Sequence, residues 1–147
     1  EPLCNKSGSK KRCECYMTIA WTNGCFDILH RGHIELFKYA KSLGDKLVVG
    51  IDSDEKVRKD KGENRPYNNA IDRKFVLESI KYIDKVVVFN SGEELEQNIK
   101  EIRPDFGVIG SDWQNKEVIG QIYIKELVFF NRVNGYSTTN ILRGVKN

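Results

Sequence analysis

Short, largely β-branched apolar runs alternate with longer stretches of helical period from residue 17 to residue 147, the pattern of successive β-α-β units. The runs are apolar throughout rather than alternating, so they suit strands buried on both faces. These two observations predict an α/β fold, a Rossmann-like five-stranded parallel sheet with helices on both faces. A chain of 147 residues is the length of one ordinary domain.

Residues 1–16 lack periodicity and carry Ser7, Gly8 and Ser9 and a Lys10-Lys11-Arg12 run. The chain's single methionine, Met17, directly precedes the first strand-like run, which makes Met17 the expected natural start. The lead is then expected to be an extension, disordered or artificially added, with no apolar core like that of a secretory signal. An intact mass from the native source that included residues before Met17 would overturn this. The domain itself is expected over 17–147.

Strands are predicted at 18–22, 46–51, 85–89, 106–109 and 127–130. Between the first two, Ile34, Phe37, Tyr39 or Ala40, and Leu43 recur at helical spacing, predicting a crossover helix over 34–43 that Gly44 stops. Further helices are predicted at 70–80, 93–102 and 138–145, while 117–125 reads equally as helix or loop. Residues 52–69 form a polar connection holding Lys56, Arg58, Lys59, Lys61 and Arg65. A connection of that length and charge usually serves a ligand.

Composition excludes several classes. No apolar run approaches the roughly 18 residues that cross a bilayer, so a soluble, cytoplasmic protein without membrane insertion is expected. The net charge is +3, and the lead contributes four cations against two anions, leaving the rest nearly neutral. With a pI near 8.6, the chain lacks the concentrated basic face of a nucleic-acid binder, and none is expected as partner. Cys4, Cys13 and Cys15 crowd the lead and only Cys25 lies in the domain, which is no disulfide framework. Their spacing fits no standard zinc knuckle, and no metal-ligating protein residues are expected.

The strongest local signal runs from Thr22 to His33, after the first strand and into the first helix. Gly24 is expected to permit a tight turn, and Gly32 to let backbone approach a ligand; the helix N-terminus beyond offers free N–H groups and the positive end of its dipole. The only two histidines, His30 and His33, stand one helical turn apart here, where imidazole donors could stabilise charge building on phosphate oxygens. Core or capping roles remain open for the pair. A zinc site is disfavoured, because no third histidine or cysteine cluster accompanies them. Asp27 reads as fixing the loop or positioning a histidine. Cys25 reads as packing.

The order of motifs resembles the cytidylyltransferase-like nucleotidyltransferases, whose HxGH signature follows the first strand as His30-Arg31-Gly32-His33 does here. The likeness covers nearly all of 17–147 and continues through Asp52-Ser53-Asp54, Lys61-Gly62-Glu63-Asn64-Arg65-Pro66, Arg73, Gly110-Ser111-Asp112-Trp113 and Ser137-Thr138-Thr139. It implies that His30, His33 and Lys61 act on the phosphates in catalysis. It further implies that Asn23, Gly24, Cys25, Phe26, Gly32, Gly110, Asp112, Ser137, Thr138 and Thr139 bind the nucleotide. Asp27, Arg65, Arg73, Trp113 and Arg132 would face the acceptor, with ligand contact expected above all for Lys61 and Arg73. Independently of the resemblance, Ser137 to Asn140 is an N-cap signature ahead of Ile141 and Leu142. Trp113 could stack near the base or close the core.

The resemblance implies transfer of a nucleoside monophosphate from an NTP to a sugar or polyol phosphate, with pyrophosphate released. The cofactor implied is Mg²⁺ bound mainly through substrate phosphates. Thr22-Asn23-Gly24, the Lys61–Pro66 stretch, Glu117 to Gly120 and Ser137 to Ile141 look like heptose 1-phosphate adenylyltransferases, which favours ATP. Asp112-Trp113, the short segment that follows and Arg132 look like glycerol-3-phosphate cytidylyltransferase, which keeps CTP as the alternative. No kinase domain of the kind that accompanies many heptose enzymes is evident, so the stand-alone form is expected; relatives often pair as homodimers. A non-catalytic nucleotide-binding module would show a damaged phosphate site, whereas His30, His33, Lys61 and Ser137-Thr138 are intact. A dinucleotide-binding domain is disfavoured by the absence of GxGxxG.

Overall fold

The structure, a computed structural model, describes residues 17–131. Its elements in chain order are β1 (Ile19–Gly24), α1 (Arg31–Leu43), β2 (Lys46–Asp52), α2 (Asp54–Lys61), α3 (Ala70–Glu78), β3 (Lys85–Phe89), α4 (Gly92–Ile102), β4 (Phe106–Gly110) and β5 (Glu126–Phe130), with 3-10 turns at Ser111–Trp113 and Gln121–Tyr123. The five strands form one sheet in the order β3-β2-β1-β4-β5, and all four pairings are parallel. The chain lays β2 and β3 to one side of β1, then crosses to build β4 and β5 on the other. The order therefore switches between β1 and β4, where open α/β sheets form a crevice at the carboxyl ends of their strands.

The pleat sends successive residues to opposite faces and sorts the core into two layers. On one face Ala20, Leu47, Val49 and Ile51 pack with Phe37 and Ala40 of α1 and Leu77 of α3. On the other, Trp21, Val48 and Phe89 pack with Leu95 and Ile99 of α4. Gly50 is required by that second layer, because a Cβ there would stand 2.6 Å from the Trp21 indole, which is 2% exposed.

All five predicted strands are present, the third with the expected bounds and the other four differing by a residue or two at one end or both. The predicted helix at 34–43 begins earlier, at Arg31, because His30 caps it. Gly44 ends it in extended backbone, at φ −143°, and not in the left-handed geometry of a glycine stop; a Cβ there would press on the Thr18 carbonyl at 3.1 Å. The predicted helix at 70–80 closes at Glu78. The segment 117–125, open between helix and loop, is loop with the one turn Gln121–Tyr123.

The polar connection at 52–69 contains a helix, α2, not expected from the sequence. Ser53 caps α2 by accepting from Lys56 N, Asp54 and Glu55 stand in its first turn, Arg58, Lys59 and Lys61 in its last, and Gly62 follows at φ 104°. The charges oppose the helix dipole at both ends. Only Val57 is buried, so no apolar periodicity announced the helix.

The amino edge of the sheet is closed by a repeated device. Asp45, Asp84 and Asp105 each stand one residue before a strand. Their carboxylates accept from Thr18 N (2.9 Å), Leu47 N (2.8 Å) and Ile19 N (2.8 Å), while their own N–H groups donate to the carbonyls of those same residues. Each aspartate thus saturates the end of a neighbouring strand.

Candidate active site

Two imidazoles meet at the carboxyl end of β1, and the start of α1 fixes both. Gly32 N donates to His30 Nδ1 at 3.0 Å, and His30 N donates to His33 Nδ1 at 3.2 Å. This is a capping box built from histidines, each ring taking the place usually held by Ser, Thr or Glu. The rings stack, with centroids 3.9 Å apart and planes 24° from parallel. Because both Nδ1 atoms accept, the proton of each neutral ring belongs on Nε2, an assignment that follows from the hydrogen-bond pattern. Capping, one of the alternatives for these residues, engages the Nδ1 of each ring.

The tight turn ahead of them is made by Phe26, at φ 50°, and not by Gly24, which ends β1 without a positive φ. A bulky residue in the left-handed region is uncommon and persists only where its surroundings hold it. The Phe26 ring is 8% exposed and packs edge-on to His33 at 5.4 Å and to Phe37 at 5.1 Å. It braces His33 from behind, so its side chain serves the core.

Asp27 binds the histidine loop to the Arg65–Asn69 stretch. Its carboxylate accepts from Tyr67 N at 2.7 Å, Asn68 N at 2.8 Å and Arg65 Nε at 3.3 Å, and its carbonyl accepts from Asn68 Nδ2. The side chain is wholly buried. Among the described residues, the Arg65 side chain is held through Nε to Asp27 and lies over the Tyr67 ring. Lys61, the last residue of α2, is exposed, and its charge reaches both Cys25 and Asp52. Arg65 and Lys61 therefore stand at the same edge as the histidines.

Arg73 differs from the expectation of ligand contact. It is 2% exposed, and its guanidinium donates to Asn68 O, Cys25 O, Asp52 O and Asp54 Oδ1 at 2.8–3.0 Å. A group so committed to protein acceptors faces the frame of the site and not its opening. Burial pushes the Cys25 thiol up, outweighing Lys61 and Arg73, so it stays protonated near neutrality and is unsuited to nucleophilic work. Burial likewise raises the Asp52 carboxyl, against the pull of Lys56.

Across the switch point, Gly110 ends β4, and the Asp112 side chain lies close enough that a Cβ on Gly110 would meet its Oδ1 at 2.6 Å. Trp113 is 48% exposed with Lys116 Nζ 5.7 Å from its ring, so it does not close the core. Asn23 Oδ1 accepts from Trp21 Nε1 at 2.9 Å, tying the end of β1 to the layer beneath. Arg132, Ser137, Thr138 and Thr139 lie outside the described residues, as do Cys4, Cys13, Cys15 and the helix expected at 138–145. Among the described residues, no group of three or more His, Cys, Asp or Glu is placed to hold a metal ion. Nor is any helix among them long and apolar enough to cross a membrane.

Asn68 and Tyr67 were missed from sequence. Their contributions run through backbone groups and an amide, which leave no charge pattern to read; Asn69, the side-chain cap of α3, was the one nearby signal.

A family model described as cytidylyltransferase-like matches residues 21–144. The bifunctional protein HldE of Campylobacter fetus subsp. fetus (strain 82-40) is 44% identical over 129 residues, 88% of this chain and 28% of the relative. The protein of the same name from Campylobacter concisus (strain 13826) is 42% identical over 146 residues, 99% of this chain and 29% of the relative. The chain thus spans under a third of the length of these relatives. A lipopolysaccharide core biosynthesis protein from Thermoplasma volcanium GSS1 superposes with TM-score 0.63 at 28% identity, over 82% of this chain and 99% of that one. Pantothenate synthetase from Thermus thermophilus, at TM-score 0.60 and 13% identity over 89% of this chain and 64% of that one, shares the fold alone. With most of its length matched by the family and with the paired histidines at the switch point of its sheet, the chain belongs to the cytidylyltransferase-like family of nucleotidyltransferases.

Proposed function

We propose that the protein transfers AMP from ATP to the phosphate of heptose 1-phosphate and releases pyrophosphate. The observation that carries this reading is the stacked pair His30 and His33, held through Nδ1 at the start of α1, so that each ring donates through Nε2. An ionised acceptor oxygen attacks the α-phosphorus, its new P–O bond forming as the bond to pyrophosphate breaks. The two Nε2–H groups, fixed before the substrate arrives, stabilise the charge that gathers on the phosphate oxygens. Lys61 neutralises the triphosphate, and Arg65, aimed by Asp27, takes the acceptor phosphate. No proton acceptor is needed on the protein, in keeping with Asp27 having both oxygens engaged.

Nucleotidyltransferases generally use Mg²⁺ with the NTP. Asp27 is the carboxylate of the histidine loop, and its commitment to Arg65, Tyr67 and Asn68 suits an ion held by phosphate oxygens and not by a protein cage. When bound, Mg²⁺ would supply charge neutralisation at the phosphates. Ser137, Thr138 and Thr139 belong to the nucleotide side of this reading, and Arg132 and Trp113 to the acceptor side. The reading places the protein in the cytoplasm, among water-soluble substrates. It also includes a homodimer, supported by the outward face of α3, where Ile71 and Phe75 are 80% and 72% exposed.

A second reading, CTP with glycerol 3-phosphate, draws support from Asp112 and the half-exposed Trp113 just beyond β4. Pyrophosphate release with Mg²⁺, crossing ATP, CTP, GTP and UTP against heptose 1-phosphate, glycerol 3-phosphate, phosphocholine and phosphopantetheine, separates the two. Release with ATP and heptose 1-phosphate is expected. Release confined to CTP and glycerol 3-phosphate replaces the first reading by the second, and silence in every combination despite bound NTP removes both.

A further inference from the structure

We infer that Arg73 is a positioning residue that sets the distance between the histidine loop and the Lys61–Arg65 stretch. The inference rests on the reading of that edge as a nucleotidyl-transfer site. It assigns Arg73 no contact with substrate.

Three separate segments supply the site, and one guanidinium reaches all of them. Nη1 donates to Cys25 O, in the turn leading to His30, at 3.0 Å and to Asp52 O, at the end of β2, at 2.8 Å. Nη2 donates to the Asp54 carboxylate, at the first residue of α2, at 2.8 Å. Nε donates to Asn68 O, just past the Lys61–Arg65 stretch, at 2.9 Å. Arg73 therefore grips both the entry and the exit of the excursion that carries Lys61 and Arg65, and joins it to the loop that carries the histidines. The helix between, eight residues at 1.5 Å each or about 12 Å, links Asp54 at its start to Lys61 at its end.

The Asp27 contacts to Arg65, Tyr67 and Asn68 join the same two segments closer to the site's mouth. Asn68 takes part in both joins, donating to the Asp27 carboxylate and carbonyl and accepting from Arg73. A fork of fixed N–H directions spans acceptors that a lysine ammonium, a single point of charge, cannot reach together. Arg73→Lys accordingly keeps the charge and loses the span.

The test uses the full chain in two variants, Arg73→Lys and Asp54→Asn, with melting measured first so that kinetics are compared on folded protein. Arg73→Lys is expected to lower kcat by about 10²-fold, the scale of a small misplacement of reacting groups, while KM for the nucleotide changes far less. Amide hydrogen exchange should quicken together at 25–30 and at 62–69, with the central strands unchanged. Asp54→Asn, which weakens the Nη2 contact and removes one first-turn charge of α2, should move both readouts the same way by less, and it decides the matter if Arg73→Lys does not fold. Wild-type kcat and unaltered exchange in folded Arg73→Lys would overturn the inference, as would a loss confined to melting temperature. The exchange readout needs no substrate. If the wild-type chain released no pyrophosphate with any substrate pair, linked quickening of the two loops would still uphold the positioning role, and independent or absent quickening would remove it.

Discussion

The two edges of the sheet handle polar groups in opposite ways. At the amino edge, Asp45, Asp84 and Asp105 repeat one solution, a carboxylate and an N–H exchanged with the end of a neighbouring strand. At the carboxyl edge no device repeats among the described residues: two histidines cap one helix, one aspartate joins two loops, one arginine is committed to four protein acceptors and another is held through Nε. Charge spent on closing a fold recurs wherever the fold recurs, whereas charge arranged for a ligand answers to the ligand's shape. Substitutions at the two edges should therefore damage different things.

The largest effect is expected for His33→Ala. Losing one preorganised donor should cut turnover by about 10²–10³-fold, and steady-state rates set beside thermal melts check that folding suffers far less. A turnover like that of the wild type would dissolve the distinction between the edges. Next, Arg65→Ala should raise KM for the acceptor by about tenfold or more, the scale of one charged hydrogen bond, with little change for the nucleotide. Equal losses for both substrates would place Arg65 elsewhere in the site.

At the amino edge the expected loss is stability without a loss of chemistry. Asp105→Ala leaves the Ile19 N–H without its acceptor and should cost about 1–3 kcal/mol in denaturant unfolding, with kcat retained. The smallest effect is a pH dependence at Asp84. Burial works against its charged form, but the Lys41 ammonium and the Leu47 N–H outweigh it and hold the carboxyl below its ordinary value of 3.8. A depressed folded pKa gives stability that is present above the unfolded value and disappears as pH falls through the folded one. Wild type should exceed Asp84→Asn at neutral pH, and the gap should close below about pH 4, the unfolded range. Asp52 has the opposite sign, since burial raises it, so the difference between the two proteins is the quantity to follow.

Much of this was legible in the sequence, and what escaped did so for physical reasons. Strands were visible because burial on both faces demands continuous apolar runs, and α1 because Phe37 and Ala40 recur at helical spacing. Helix α2 escaped a search for apolar periodicity, although Ser53, the acids after it, the bases at its end and Gly62 spelled out its caps. His30 and His33 stood out by rarity and place, while their use of Nδ1 for capping depends on ring orientations that only the fold sets. Arg73 was noticed and its direction mistaken, because a sequence cannot distinguish a guanidinium facing a crevice from one buried among carbonyls. The three aspartates before strands carried a readable repeat, visible in hindsight at Asp45-Lys46, Asp84-Lys85 and Asp105-Phe106.

The central claim, that His30 and His33 cap α1 through Nδ1 and meet the nucleotide's phosphates through Nε2, is tested most directly by ¹⁵N NMR of histidine-labelled protein. The chain has two histidines, and single variants assign them. Both rings are expected to carry their proton on Nε2 in the free protein, and both Nε2 resonances to move when ATP and Mg²⁺ are added. A proton on either Nδ1 in the free protein, or rings indifferent to saturating nucleotide, would contradict the account.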